Sequence, residues 1–210
     1  TITTSGNCKI HTFTGPGTFC VSQIATCSAN NQVSYLVIAG GGGAAGGGSG
    51  AGGFREDKSP VTPYTASPLD GAGNITVTAT AFPITVGGGG GGSRADINCG
   101  ASAGSNSIFS TIISAGGGAG AEWGNDNFPQ PQHNGGSGGG GGQRSPGGGG
   151  NGNGNTPPVS PPQGNNGGAA PADGSEAGSA GGGGGAGGAG NNGTSGNSGS
   201  GGNGIATSIS

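Results

Sequence analysis

The sequence predicts a mainly β protein in which short antiparallel strands combine with packed polyglycine II helices, without α-helix. Gly accounts for 60 of the 210 residues and Pro for 13, and these are the two poorest helix formers. Short apolar runs lead directly into glycine at 33–43 (VSYLVIAGGGG), 82–92 (FPITVGGGGGG) and 109–118 (FSTIISAGGG). Glycine also recurs at every third position near the carboxyl end.

The predicted strands begin with a hairpin. Residues 9–22 (KIHTFTGPGTFCVS) place aromatic and Thr-rich runs on both sides of a Gly-Pro-Gly loop, which is typical of a β-hairpin. In that register Phe13 faces Phe19, and His11 faces Val21.

Further strands are predicted along the first half of the chain. The apolar run at 33–39 predicts a strand buried on both faces, 74–86 an alternating strand, and 107–114 a third. Residues 54–73 contain Pro and charged residues and are predicted to form a loop. The last residues, 204–210 (GIATSIS), have the pattern of the beginning of one more strand.

The glycine runs are predicted to form short polyproline-II-like helices, which have three residues per turn and no internal hydrogen bonds. Their N–H and C=O groups point outward and need partners when buried, and without Cβ atoms such helices can lie against one another. The alternative is that the runs are flexible spacers. The runs are Gly40–Gly43, Gly87–Gly92, Gly138–Gly142 and Gly147–Gly150, and the glycines spaced by three are Gly181, Gly184, Gly187, Gly190, Gly193, Gly196, Gly199 and Gly202.

Composition argues against several partners. Charged residues make up 6% of the chain and the net charge is −3, so no basic surface for nucleic acid is expected. No apolar run approaches the ~20 residues of a membrane span, and we expect no membrane insertion.

We expect one continuous module with three regions, 1–39, 40–120 and 121–210. Because the chain starts at Thr1 and contains no Met, we expect a processed product or a piece of a longer protein.

The sequence offers little for catalysis. Neither His11 nor His133 lies in a motif, and a general base needs an oriented partner in a cleft. We therefore predict no enzyme activity, no cofactor and no metal site. Four cysteines, Cys8, Cys20, Cys27 and Cys99, allow two disulfides in three connectivities, although the predicted hairpin separates Cys8 from Cys20 by more than a disulfide can span.

Aromatic and polar residues between the glycine segments are the candidate contact residues, because exposed Trp and Tyr bring large area at low entropic cost. Residues 121–134 (AEWGNDNFPQPQHN) contain the single Trp, which alternatively packs on glycine backbone as a local core. Residues 155–163 (NTPPVSPPQ) are predicted to be stiff, either as a recognition loop or as a connector. The candidate receptor-binding residues are Phe54, Arg55, Tyr64, Trp123, Asn125, Asp126, Asn127, Phe128 and His133.

Three segments, VSYLVIAGGGGAAGGG, FPITVGGGGGG and GSNSIFSTIISAGGGAG, resemble the glycine-rich domain of bacteriophage tail-fibre and other virion proteins, notably those of marine and cyanobacterial phages. The segment HTFTGPGTFCVS resembles the β-element that commonly opens this domain. In related tail-tip adhesins, packed polyglycine II helices hold variable loops that contact the host receptor. The resemblance thus implies a non-enzymatic attachment role in the virion, a host cell-surface protein or glycan as partner, and a symmetric homo-oligomer.

Two other hypotheses stay open. One is a self-assembling extracellular filament, shaft or capsid-fibre subunit, in which the β-prone ends at 1–7 (TITTSGN) and 204–210 pair between subunits. The other is ice binding by flat glycine faces, which the irregular proline-bearing loops disfavour.

Overall fold

The computed structural model describes residues 1–93, 100–122, 130–142, 150–171 and 179–209. Within these ranges the chain forms ten short strands in four antiparallel sheets, two short 3-10 turns and no α-helix. The predicted mainly β class is therefore confirmed. None of the described residues belongs to a helix long and apolar enough to cross a membrane.

The strands are two to five residues long. In chain order they are β1 (Ile2–Ser5), β2 (Cys8–His11), β3 (Gly17–Cys20), β4 (Gln32–Val33), β5 (Tyr35–Ile38), β6 (Phe54–Asp57), β7 (Ile75–Thr76), β8 (Ala81–Thr85), β9 (Ser107–Phe109) and β10 (Ile112–Ser114). One sheet has four strands in the order β10-β9-β8-β3, and the others are the pairs β1-β2, β4-β7 and β5-β6. The 3-10 turns are Ser28–Asn31 and Gln130–His133.

The predicted hairpin over residues 9–22 is wrong. Strand β2 pairs with β1, so the amino-terminal strand finds its partner within the chain, and β3 pairs with β8. A two-residue turn at Gly6 and Asn7 closes the β1-β2 hairpin, with Gly6 at a φ of +56°, a conformation that glycine adopts without steric cost. Strand β3 pairs with β8 because this pairing packs Phe19 against the apolar core.

Two other predicted strands need correction. Residues 33–39 divide into β4 and β5, and β5 is buried on one face only, because Tyr35 and Val37 are covered while Ile38 is 52% exposed. Residues 107–114 form the hairpin β9-β10, which turns at Ser110 with a φ of +54°.

The remaining differences concern strand boundaries. Residues 74–86 divide into β7 and β8, and the predicted loop at 54–73 begins with the strand β6. Residues 204–209 form no strand, although the Ser208 N–H donates to the Thr65 carbonyl at 3.1 Å.

A small aromatic core orders the strands. Phe109 lies at its centre, with ring centroids 5.8 Å from Tyr35, 6.0 Å from Phe19 and 6.2 Å from Phe82. Val37, Ile75 and Val77 complete the buried cluster. A cluster of this size removes little apolar surface from water, so hydrophobic burial alone contributes modestly to the stability of a 210-residue chain.

The rest of the molecule is a glycine array, which we define as segments 40–53, 87–93, 102–105, 116–121, 135–142, 165–168, 179–185, 190–193 and 199–202. Segment 116–121 shows how it is built. Gly117 and Gly120 donate to the carbonyls of Gly40 and Gly43, while the N–H groups between and after them, at 118 and 121, donate to segment 135–142, all at 2.9–3.0 Å. Residues three apart thus bind the same neighbour.

This period distinguishes the array from a β-sheet, in which side groups repeat every two residues and each strand has at most two hydrogen-bonded neighbours. Segment 116–121 is hydrogen bonded to residues 40–43, 47–50, 104, 132 and 136–140. A three-residue repeat with partners all round is the arrangement expected for packed polyglycine II helices.

Seven of the eight glycines spaced by three from 181 to 202 serve the same packing, whereas Gly196 lies in a turn with a φ of +81° and has nothing within 4 Å of its Cβ position. A Cβ atom at Gly181, Gly190 or Gly199 would lie 1.9–2.1 Å from a backbone oxygen of another segment. The repeat does not form one continuous helix, because the chain reverses at 185–188 and again at 194–197.

Candidate interaction site

A compact proline loop, residues 155–163, projects from the array. Asn155 closes it, since its Oδ1 accepts from the N–H groups of Val159 and Gln163 at 3.1 and 3.2 Å and its Nδ2 donates to the Val159 carbonyl at 3.1 Å. Asn155 has a φ of +49°, which Asn tolerates better than most residues. The exposed residues of the loop are Pro157, Pro158, Ser160 and Pro162.

Gln163 fastens this loop to the body of the protein. Its side chain is 1% exposed, and its Nε2 donates to the Pro157 carbonyl at 2.9 Å while its Oε1 accepts from the Ala115 N–H at 2.8 Å. The Gln163 carbonyl in turn accepts from the Phe54 N–H at 2.9 Å. A buried amide with both ends satisfied gives a defined geometry, so the base of the loop is fixed.

Arg55 provides a second attachment for the proline loop. Its guanidinium donates to the Pro161 carbonyl at 2.8 Å and to the Ala72 carbonyl at 3.1 Å, thereby joining two loops. The residue is 6% exposed, and burial lowers the pKa of its guanidinium. Arg55 and Phe54 were predicted in a surface loop. Both instead lie in the buried strand β6, and Phe54 is also 6% exposed.

The two carboxylates of β6 hold further segments. Glu56 is fully buried, and its carboxylate accepts from the Ser67 N–H at 3.0 Å and from the Thr207 hydroxyl. Asp57 accepts from the Gly73 N–H at 3.2 Å. Three successive charged residues therefore tie different loops to one strand, and each carboxylate has hydrogen-bond donors in place of water.

Tyr64 is the described candidate residue that retains partial exposure. The ammonium of Lys58 lies 5.5 Å from its ring centroid, a distance that favours cation–π attraction. Burial, reinforced by the nearby Glu56 carboxylate, raises the pKa of the Tyr64 hydroxyl.

His133 does not form a surface contact. It ends the 3-10 turn Gln130–His133, is 4% exposed, and its carbonyl accepts from the Gly139 N–H at 2.8 Å. Burial lowers the pKa of its imidazole, and the Glu122 carboxylate opposes this only in part. The other candidate residues, Trp123, Asn125, Asp126, Asn127 and Phe128, lie outside the described residues.

The sequence interpretation missed the anchoring role of Asn155 and Gln163. Asn before a Pro-rich run is a turn signal and would have identified Asn155. No local pattern marks Gln163, because its partner Ala115 lies 48 residues away in the chain.

The described residues contain few side chains suited to metal or redox chemistry. In the described part of the chain, no three His, Cys, Asp or Glu side chains lie close enough together to hold a metal ion. Cys8, Cys20 and Cys27 are free thiols, and Cys99 lies outside the described residues.

Comparison with known families covers most of the chain. The family model of the glycine-rich domain matches residues 14–210. This chain belongs to the glycine-rich domain family. No curated protein and no solved structure matches it. In this glycine-rich domain, the matched range contains the whole array, the proline loop and strand β6.

Proposed function

We propose that this glycine-rich domain is a non-enzymatic part of a virion fibre or similar extracellular appendage, and that its array holds loops rigidly for attachment to a host cell surface. The observation that carries the proposal is the proline loop, whose base is fixed by Gln163 and Arg55. A loop that is already ordered loses less conformational entropy when it binds. The placement in a virion rests on the sequence resemblance.

The proposed contact residues are the exposed part of the proline loop and the partly exposed Tyr64. Trp123, Asn125, Asp126, Asn127 and Phe128 stay candidates from the sequence. Phe54 and Arg55 support the loop from within, through the Phe54 N–H to the Gln163 carbonyl and the Arg55 guanidinium to the Pro161 carbonyl. His133 is buried and forms no part of the contact surface. The partner is a cell-surface protein or glycan, on which proline and tyrosine rings offer flat apolar area.

Binding to cells tests this function. The purified chain would be labelled and incubated with intact cells of a panel of bacteria that includes marine and cyanobacterial strains. We expect saturable binding to at least one strain, and at least a tenfold loss on the double substitution Pro158→Arg and Ser160→Arg.

The matched control is Ile2→Arg, because Ile2 is 64% exposed and lies in β1, away from the loop. It should bind like the unmodified chain. Absence of binding to every strain would contradict the attachment role, and equal binding by the loop variant would exclude the proline loop as the contact.

A purely structural role, as a filament, shaft or capsid-fibre subunit, is the second candidate. It is favoured by one observation, the open edge of the array at residues 87–92, where backbone groups face solvent. Self-assembly without any cell binding would support this role over attachment.

A further inference from the structure

One edge of the glycine array is left open. In segment 87–93, residues 87, 90 and 93 are partly covered, whereas Gly88, Gly89, Gly91 and Gly92 are exposed. The covered residues repeat every three positions because the segment contacts the array on one side only. Its neighbours are segments 40–53 and 102–105, together with Ser107.

The open side presents unpaired backbone groups. Among the described residues, the N–H and C=O groups of Gly89 and Gly92 have no hydrogen-bond partner. These two glycines are three residues apart, and the same spacing joins segments inside the array, where Gly40 and Gly43 donate to Ser105 and Ser102. The edge therefore has the same spacing of backbone N–H and C=O groups as the interior of the array, but the groups of Gly89 and Gly92 stay unpaired.

The fold itself does not require glycine at three of these exposed positions, whereas a Cβ at Gly92 would lie 3.2 Å from the Ala44 carbonyl oxygen. A Cβ atom at Gly88 would meet nothing within 4 Å, and at Gly89 or Gly91 the nearest atom would be 3.7 Å away. At the partly covered positions of the same segment, by contrast, a Cβ at Gly87 or Gly90 would lie 2.0 Å from a backbone oxygen of segment 102–105. Glycine costs more conformational entropy than alanine, and its use at these adjacent open positions leaves room for another backbone to approach them.

We propose that residues 87–92 are a docking edge for a second copy of this chain, which pairs through the same edge across a two-fold axis. A partner must offer side-chain-free backbone with unpaired N–H and C=O groups every third residue, and Gly89 and Gly92 of another copy meet this condition. Antiparallel pairs with two bonds at this spacing occur within the array, where Gly181 and Gly184 donate to Gly141 and Gly138; across a two-fold axis each copy would instead donate one of the two bonds. The contact is isologous.

The strength of this contact follows from its size. Six residues of a polyglycine helix span about 19 Å, so the buried area falls below the ~1,000 Å² of a stable interface. The contact is a weak one, with a Kd on the order of 10⁻⁴ M. It gains strength where several copies lie side by side, as in a fibre. This inference does not depend on host attachment.

Sedimentation equilibrium of the purified chain from about 10 μM to 1 mM tests the proposal, a range chosen to bracket the expected Kd. We expect a reversible monomer–dimer equilibrium, weakened at least tenfold by the double substitution Gly88→Ala and Gly89→Ala, while the thermal midpoint does not fall. A Cβ at these positions enters open space in one copy and collides with the backbone of a docked copy.

The matched control is Gly15→Ala, because a Cβ at Gly15 also meets nothing within 4 Å and lies in the loop between β2 and β3. It should dimerise like the unmodified chain. The proposal is overturned if the unmodified chain stays monomeric at 1 mM or if the double variant dimerises equally well. A double variant that unfolds would also overturn it, because the proposal requires open space at both positions.

Discussion

Adjacent glycines of the array differ sharply in how much room surrounds them. A Cβ at Gly42 would lie 2.1 Å from the Gly118 oxygen, whereas a Cβ at Gly41 would meet nothing closer than 3.7 Å. The difference arises because successive residues of a three-residue screw face different neighbours. Each glycine therefore has its own tolerance for substitution, which glycine content alone does not reveal.

Gly42→Ala is expected to lower the free energy of unfolding by about 1–3 kcal/mol or more, since this is the usual cost of overpacking a close contact. The physical reason is that a methyl group and the Gly118 carbonyl cannot occupy the same space, so segment 116–121 must shift. Urea titration followed by circular dichroism measures the change.

Gly41→Ala is the matched control, one residue away in the same run. It should leave stability unchanged or raise it by about 0.4–1 kcal/mol, because alanine restricts the unfolded chain. Equal effects of the two substitutions would contradict the packing described for the array.

Strand β6 is the element that joins the aromatic core to several loops. It pairs with β5 beside the aromatic core, and its charged side chains reach the loops at 65–74, the proline loop and the carboxyl-terminal segment. The proline loop depends on β6 and on Gln163 together. Strand β6 and Gln163 bind the base of the proline loop, and Pro157, Pro158, Ser160 and Pro162 stay exposed.

Gln163→Ala is expected to release the proline loop. The Pro157 carbonyl and the N–H of the buried Ala115 lose their partners, and the buried N–H left without one costs about 1–3 kcal/mol. Hydrogen exchange should show faster exchange of the Val159 amide, whose acceptor Asn155 belongs to the same loop.

Pro162→Ala serves as the control because Pro162 is the exposed residue next to Gln163. It should change stability by less than about 0.5 kcal/mol. If Gln163→Ala leaves both stability and exchange unchanged, the loop is not held in the way the hydrogen bonds indicate.

The whole molecule relies on backbone hydrogen bonds more than on apolar burial. Among the described residues, the apolar core cluster contains five buried residues with seven partly buried ones packed against it, while nearly every interior segment of the array is bonded to several others. Exposure of apolar surface raises the heat capacity of unfolding and exposure of polar surface lowers it.

We therefore expect a heat-capacity change of unfolding below the ~12 cal/mol/K per residue of ordinary globular proteins. Differential scanning calorimetry at several pH values measures it. The stability curve should consequently be flat over a wide temperature range. A value within or above the ordinary range would mean that apolar burial dominates after all.

The sequence by itself determined the β class, the absence of α-helix in the described residues and the places where strands lead into glycine. These follow from local properties, because Gly and Pro exclude α-helix and apolar runs identify strands. The stiffness of the proline loop also follows locally, since Pro restricts φ.

Only the tertiary structure decided which strands pair and which candidate residues are buried. Strand β3 pairs with β8 instead of β2 because Phe19 gains aromatic contacts from residues more than 60 positions away. Arg55 carries a charged side chain of the kind usually found at the surface. It is nevertheless buried, because two distant loops supply carbonyl acceptors for its guanidinium. Such long-range partners leave no trace in local sequence patterns.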